Sequence, residues 1–192
     1  MQNTMSLSFL LLGLCLWLVM ARFQSFPAFT LFKSNLVFDD FSMKVSILLV
    51  GATIVCLLLS RDYVAEEKVN FFEFSILVLL SCLGGCWLVA SYDFFTMYMT
   101  IELLSLPLYA LASIKTRSLL STEAGLKYFI LGAFSSGMFL FGVSLLYFAT
   151  GSLSFSEIGQ LGMTSDTLTT ETCAYLMGLF FVLVGLICNY FS

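Results

Sequence analysis

The stretch Phe94-Phe-Thr-Met-Tyr-Met-Thr-Ile-Glu102-Leu-Leu-Ser-Leu-Pro107-Leu-Tyr-Ala-Leu-Ala-Ser-Ile114 decides the fold. It is long enough to cross a bilayer as a helix, which takes about 20 mainly apolar residues, and Glu102 is its single charge. Comparable uncharged runs stand at Met5–Ala21, Val45–Ser60, Phe74–Tyr92, Tyr128–Ser156 and Thr172–Ser192. Backbone polar groups in lipid must be satisfied within the segment, so these runs read as helices rather than strands. Six transmembrane helices are expected, over approximately 5–21, 44–60, 73–92, 94–114, 122–148 and 172–191, in a single membrane domain covering 1–192.

Composition agrees. Of 192 residues 60% are apolar and 10% charged, against about one quarter charged in ordinary soluble domains. The expected class is an all-α, polytopic integral membrane protein with membrane lipids around it. Eight Lys and Arg against twelve Asp and Glu give a net charge of −4. That excludes a nucleic-acid partner, since phosphate binding needs a basic face. No Lys or Arg precedes the first apolar run, so it reads as a retained span and not as a signal peptide.

Two connections are long. Residues 22–43 mix Arg22, Lys33, Asp39 and Asp40 with Phe23, Phe26, Phe29, Phe32, Phe38 and Phe41, a pattern suited to an interfacial segment at the headgroups. Residues 149–171 are rich in Gly, Ser and Thr and acidic. With six spans, Arg61, Lys68, Lys115 and Arg117 share a side with the N-terminus, against Arg22, Lys33 and Lys44 opposite. The positive-inside rule then puts the N-terminus inside.

Glu102 is the sharpest chemical feature. At 1.5 Å per residue it lies roughly 12 Å from Phe94 and 18 Å from Ile114, near the bilayer midplane. A carboxyl there costs several kcal/mol unless protein, water or a counter-charge faces it, and such groups mark ion pathways. Pro107, five residues on, removes a backbone donor and is expected to bend or loosen the helix beside the carboxylate. Lys127 follows Glu123 by one helical turn, so the two can pair electrostatically. Its helix is consecutive with that of Glu102, which makes a water-bridged link between them geometrically reasonable. Ser121 or Thr122 is the expected cap of this helix. Gly132/Ser136 and Ala133/Gly137, each four apart, offer a small-residue face for another helix, with Ser135 and Ser136 able to hydrogen-bond across it.

Cys15, Cys56, Cys82, Cys86, Cys173 and Cys188 all fall in the apolar runs, where cysteine behaves as a small hydrophobe. Cys82 and Cys86 share a face, but two thiols alone make neither a zinc nor an iron–sulfur site. There is no histidine, which excludes bis-histidine haem ligation. No metal or redox cofactor is expected in this chain.

The run Ser121-Thr-Glu-Ala-Gly-Leu-Lys-Tyr-Phe-Ile-Leu-Gly-Ala-Phe-Ser-Ser-Gly137 resembles the signature of the subunit 2 family of NADH dehydrogenase, respiratory complex I. Tyr92-Asp-Phe-Phe-Thr-Met-Tyr-Met-Thr-Ile-Glu-Leu-Leu-Ser-Leu106 and Phe38-Asp-Asp-Phe41 look like other blocks of that family, in the same order. The resemblance implies an antiporter-like proton channel of two inverted helical bundles, pumping protons as NADH is oxidised and ubiquinone reduced elsewhere. It matches Glu102 to the family's intramembrane glutamate and Lys127 to a lysine of the following helix, as proton-relay candidates. Glu123 and Pro107 accompany them as charge partner and structural element. FMN, iron–sulfur clusters and ubiquinone are implied in other subunits, other membrane-arm subunits as partners, and the mitochondrial inner membrane, or a bacterial plasma membrane, as location.

The pattern breaks near the end of the sequence. Val184-Gly-Leu-Ile-Cys188 matches a motif that continues in the family with a buried lysine and a Pro-Phe-His stretch, whereas here Asn189 stands at the lysine's place and the sequence stops at Ser192. The expectation is a partial antiporter-like bundle, completed by a second polypeptide. Two other readings remain open: a subunit of a multi-subunit cation/proton antiporter, and a structural scaffold of the membrane arm without a proton relay.

Overall fold

The computed structural model describes residues 29–32, 35–66, 71–115, 118–164 and 170–191. The expected helix over 5–21 lies outside them. A short antiparallel hairpin, β1 (Phe29–Leu31) and β2 (Leu36–Phe38), precedes the helices α1 (Asp40–Glu66), α2 (Phe71–Ala90), α3 (Phe94–Ala112), α4 (Leu119–Thr150), α5 (Phe155–Thr164) and α6 (Thr170–Phe191). Five of these helices are long and apolar enough to cross a membrane; α5, with ten residues, is not among them.

Glycines set the helix registers. A Cβ on Gly84 of α2 would meet the Leu104 backbone nitrogen of α3 at 2.7 Å, and one on Gly125 of α4 would meet Ser113, the C-cap of α3, at 2.5 Å. Between α4 and α6 two glycines meet backbone nitrogens of the facing helix. A Cβ on Gly142 would lie 2.6 Å from the Val182 nitrogen, and one on Gly185 2.7 Å from the Phe139 nitrogen. Without a hydrophobic driving force in lipid, such close backbone approach supplies the van der Waals contact that holds helices together. Phe139, Val143, Leu146, Ile158 and Val182 form the core of this half, and Val50, Leu57, Val78 and Cys82 that of the other.

The small-residue face expected on α4 is only half realised. Gly132 is buried against Tyr109, but nothing lies within 4 Å of a Cβ on Gly137, and Ala133 is exposed. Ser135 and Ser136 donate to Gly132 O (2.7 Å) and Ala133 O (3.1 Å) of their own helix rather than across a contact. Hydroxyls in helices readily fold back on the preceding turn. The expected cap differs too: α4 starts at Leu119, and Ser121 Oγ donates to Ala112 O (2.9 Å), closing the end of α3 instead.

Carried across the bundle, these registers put Arg61, Glu73, Lys115 and Glu123 at one level. Asp40 and Asp93 share another, at the far end of the 19 residues of α3, or about 29 Å along the helix axis. The span matches the hydrocarbon thickness of about 30 Å. Charge therefore sits in two belts, with Glu102 between them.

The Asp93 end is capped by irregular structure. Leu36 bridges to Ser91 and Asp93 to Ser154; Tyr92 N–H donates to Asn35 O (2.9 Å) and Phe94 N–H to Leu153 O (3.1 Å). Part of the expected interfacial segment is thus a hairpin tied to the α2–α3 turn. The expected 149–171 connection contains α5. Gly151, at φ 73, ends α4 in the left-handed region, which costs glycine no Cβ clash. Phe155 then packs edge-on against Phe94 (centroids 4.6 Å apart), and Ile158 is buried against the bundle.

Candidate functional site

Glu102 is half-buried in α3. Its helix brings Tyr98, Ser105 and Tyr109 onto the same face, at offsets of −4, +3 and +7, because 3.6 residues make a turn. That face is turned to α4: Tyr98 stacks on Phe139 with ring centroids 6.1 Å apart, and Tyr109 packs edge-on against Tyr128 (4.6 Å) and Phe129 (5.8 Å). The Glu102 carboxyl shares this face with the phenols of both Tyr98 and Tyr109. Among the described residues no ion pair reaches it. Two buried hydroxyls of α3 fold back on their own helix: Ser105 Oγ donates to the Glu102 backbone carbonyl at 3.3 Å, and Thr100 Oγ1 to Met97 O at 2.9 Å. Pro107 is buried in α3, and its lack of an N–H leaves the carbonyl of Leu103, the residue after Glu102, without the usual helical donor.

Lys127 stands elsewhere. Its ammonium contacts Glu123 Oε1 at 2.5 Å, with both side chains more than half exposed. At 100° per residue it lies about 150° around α4 from the Gly125–Gly132 line that faces α3. It also sits near the charged belt, not at the level of Glu102. Within the chain α4 turns Lys127 away from α3 and toward Glu123.

At the level of Glu102 a small cleft opens between α3, α4 and α6, lined by Tyr98, Ile101, Ser136, Phe139, Gly185, Leu186 and Asn189. Asn189 comes level with Ser135 because Gly185 is opposite Phe139. The mid-bilayer layer thus holds polar groups from three helices. Sequence reasoning passed over Tyr98, Ser105 and Tyr109; the signal was their spacing from Glu102, one helical face of hydroxyls around an acid.

At the surface end of α3, Asp93 is partly buried in the turn before the helix. Burial raises its carboxyl above the ordinary value, opposed by the backbone N–H groups of Thr96, Phe94 and Phe95. None of the described cysteines is in a disulfide, and no cluster of potential metal ligands occurs among the described residues.

Residues 91–190, just over half of the chain, match the family described as NADH:quinone oxidoreductase/Mrp antiporter, TM. The chain belongs to this family. The matched region holds α3, α4, α5 and most of α6, and so the whole Glu102 layer. Family members with assigned names include NADH-ubiquinone oxidoreductase chain 2 of Marchantia polymorpha, 40% identical over 79% of this chain and 32% of that protein. NADH-quinone oxidoreductase subunit N of Bartonella bacilliformis is 41% identical over 84% of this chain and 32% of that protein. The chain spans about a third of the length of these curated relatives. Among solved structures, a chain of respiratory complex I from Thermus thermophilus superposes with a TM-score of 0.74 at 31% identity, covering 96% of this chain and 38% of the other. A chain of the Mrp complex from Dietzia sp. shares the fold, with a TM-score of 0.70 at 21% identity over 96% of this chain and 35% of the other.

Proposed function

We propose that this family member is a membrane-arm subunit of an NADH:quinone oxidoreductase and takes part in proton translocation, with Glu102 as the protonatable relay group. One observation carries the reading: a carboxyl near mid-bilayer, turned toward α4 among phenols and hydroxyls, with no ion pair from the described residues to hold it permanently charged. An acid so placed can exchange a proton with neighbouring hydroxyls or water, whereas a structural acid is ordinarily locked by a basic partner. Lys127, paired with Glu123, tunes the relay by its charge from the belt. Redox chemistry through FMN, iron–sulfur clusters and ubiquinone belongs to partner subunits, and the complex sits in a mitochondrial inner membrane.

The open side of the Glu102 layer favours cover by further helices packed against it, since polar groups facing acyl chains are costly.

Glu102→Gln in the assembled complex tests the relay. It keeps size and removes the charge. Loss of proton pumping per NADH oxidised, with normal assembly, is the expected result. Unchanged pumping would leave a scaffold role, and a purified assembly lacking flavin and iron–sulfur subunits would identify a cation/proton antiporter instead.

A further inference from the structure

We infer that Gly84 of α2 is a positioning residue for Glu102: it braces the turn of α3 that Pro107 weakens, and so fixes where the carboxyl stands. The inference rests on the relay role proposed for Glu102. Two independent observations meet at one peptide link. Pro107, inside α3, has no N–H to offer the Leu103 carbonyl, and a helix short of that bond bends there first. The atoms nearest to a Cβ built on Gly84 are Leu104 N at 2.7 Å, Leu104 Cα at 2.9 Å and Leu103 C at 3.0 Å. All three are backbone atoms of the Leu103–Leu104 link. The buried Gly84 thus lays bare backbone on the same peptide whose carbonyl Pro107 leaves without its donor, directly after Glu102.

Helix geometry gives the support a direction. Leu104 is two residues beyond Glu102, about 200° around α3. Gly84 therefore bears on α3 from behind, nearly opposite the face that Glu102 shares with Tyr98 toward α4. An atom added at Gly84 drives the loosened turn toward α4. Space there is already taken: Tyr98 is stacked on Phe139, ring centroids 6.1 Å apart, and Gly185 of α6 packs on the Phe139 backbone. The surroundings of the carboxyl are thus set by how closely α2 can approach. Gly85, the next residue, differs. A Cβ there would lie 3.5 Å from Leu49 Cδ1 and 3.6 Å from Leu104 Cδ1, ordinary contacts with side-chain ends that can yield.

The test uses the assembled complex in proteoliposomes and reads three quantities: complex assembled, protons moved per NADH oxidised, and the rate at which dicyclohexylcarbodiimide labels Glu102. That reagent is apolar and attacks protonated carboxyls, and mass spectrometry of the Glu102 peptide follows it. In Gly84→Ala, pumping per assembled complex is expected to fall about tenfold or more, since small misplacements of a reacting group are costly. The labelling rate of Glu102 is expected to change several-fold, a reading that a purely structural glycine would not move. Gly85→Ala is expected to keep both at the parent's values. Where Gly84→Ala does not assemble, Leu104→Ala decides. It adds no atom but removes the α3 side chain that rests on α2 beside Gly85, and Glu102 labelling is expected to shift there too. An unchanged labelling rate in the deciding variant overturns the inference, as do equal changes in Gly84→Ala and Gly85→Ala. Normal pumping in Gly84→Ala, where Glu102→Gln abolishes it, overturns it as well. If labelling shifts in Gly84→Ala while Glu102→Gln pumps normally, Gly84 still positions the carboxyl and the proposed function alone fails.

Discussion

Gly142 of α4 and Gly178 of α6 face each other without room for a methyl group: a Cβ on Gly142 would lie 2.8 Å from the Gly178 carbonyl oxygen, and one on Gly178 3.0 Å from that of Gly142. Backbone, unlike a flexible side chain, yields little. Gly142→Ala is therefore expected to push α4 and α6 apart at a cost of about 1–3 kcal/mol. Gly137→Ala, on the same helix with nothing within 4 Å, is expected to gain up to about 1 kcal/mol from helix propensity. Thermal unfolding of the two variants in lipid nanodiscs checks the opposite signs; equal shifts would refute the tight α4–α6 seam.

Breaking the Glu123–Lys127 pair is expected to matter little for stability. Both side chains are largely exposed, and exposed i,i+4 pairs contribute about 0.3–0.5 kcal/mol. Lys127→Met should leave the unfolding midpoint nearly unchanged. A large drop would mean that Lys127 has a second partner in the assembled complex.

Asp93 predicts a pH dependence. Its carboxyl is raised by burial in the α2–α3 turn, so the folded state binds a proton more readily than the unfolded chain. The stabilising contribution of the protonated acid is complete below the unfolded carboxyl value. It is lost as pH rises through the raised folded value. Asp93→Asn, which stays neutral, is expected to flatten the stability profile above about pH 4. Unfolding midpoints measured from acid to neutral pH compare the two proteins; identical slopes would contradict the burial effect.

Docking of α5 depends on Ile158, 4% exposed beneath the helix. Tyr175 Oη adds a hydrogen bond to Ile158 O at 3.3 Å. Ile158→Ala removes the anchor, and burial losses of this kind cost about 2–5 kcal/mol. The expected outcome is faster amide exchange and proteolysis across α5, with the long helices unaffected. Protection equal to that of the parent would show that Phe155 alone holds the helix.

The long helices were legible because lipid demands a simple pattern: apolar runs bounded by charge, as Glu73 and Asp93 bound α2. The capping structure was not. A ten-residue α5 containing Gly159 has too few apolar repeats to stand out from a Gly- and Ser-rich connection, and its docking comes from Phe94 and Phe155 meeting across the fold. The helix seam was half read, because spacing of four picks out Gly132 and Gly137 equally, while the partner's shape selects one. Gly178 and Gly185, seven apart, held the missing signal. Glu102 was plain from its charge alone. The direction of Lys127 was not, because adjacency of two helices does not say which face of each meets the other.

The 32 residues of α4 amount to about 48 Å of helix, well beyond the roughly 30 Å of hydrocarbon that α3 fills. Locked in register with its shorter neighbour, α4 cannot lie down to hide the excess, so it stands proud of both membrane surfaces. Exposed Leu119 and Leu120 emerge on one side, Tyr147 and Phe148 on the other. Lipids around this post must stretch to meet it. Thicker bilayers should then hold the bundle more firmly than thin ones, coupling its stability to acyl-chain length.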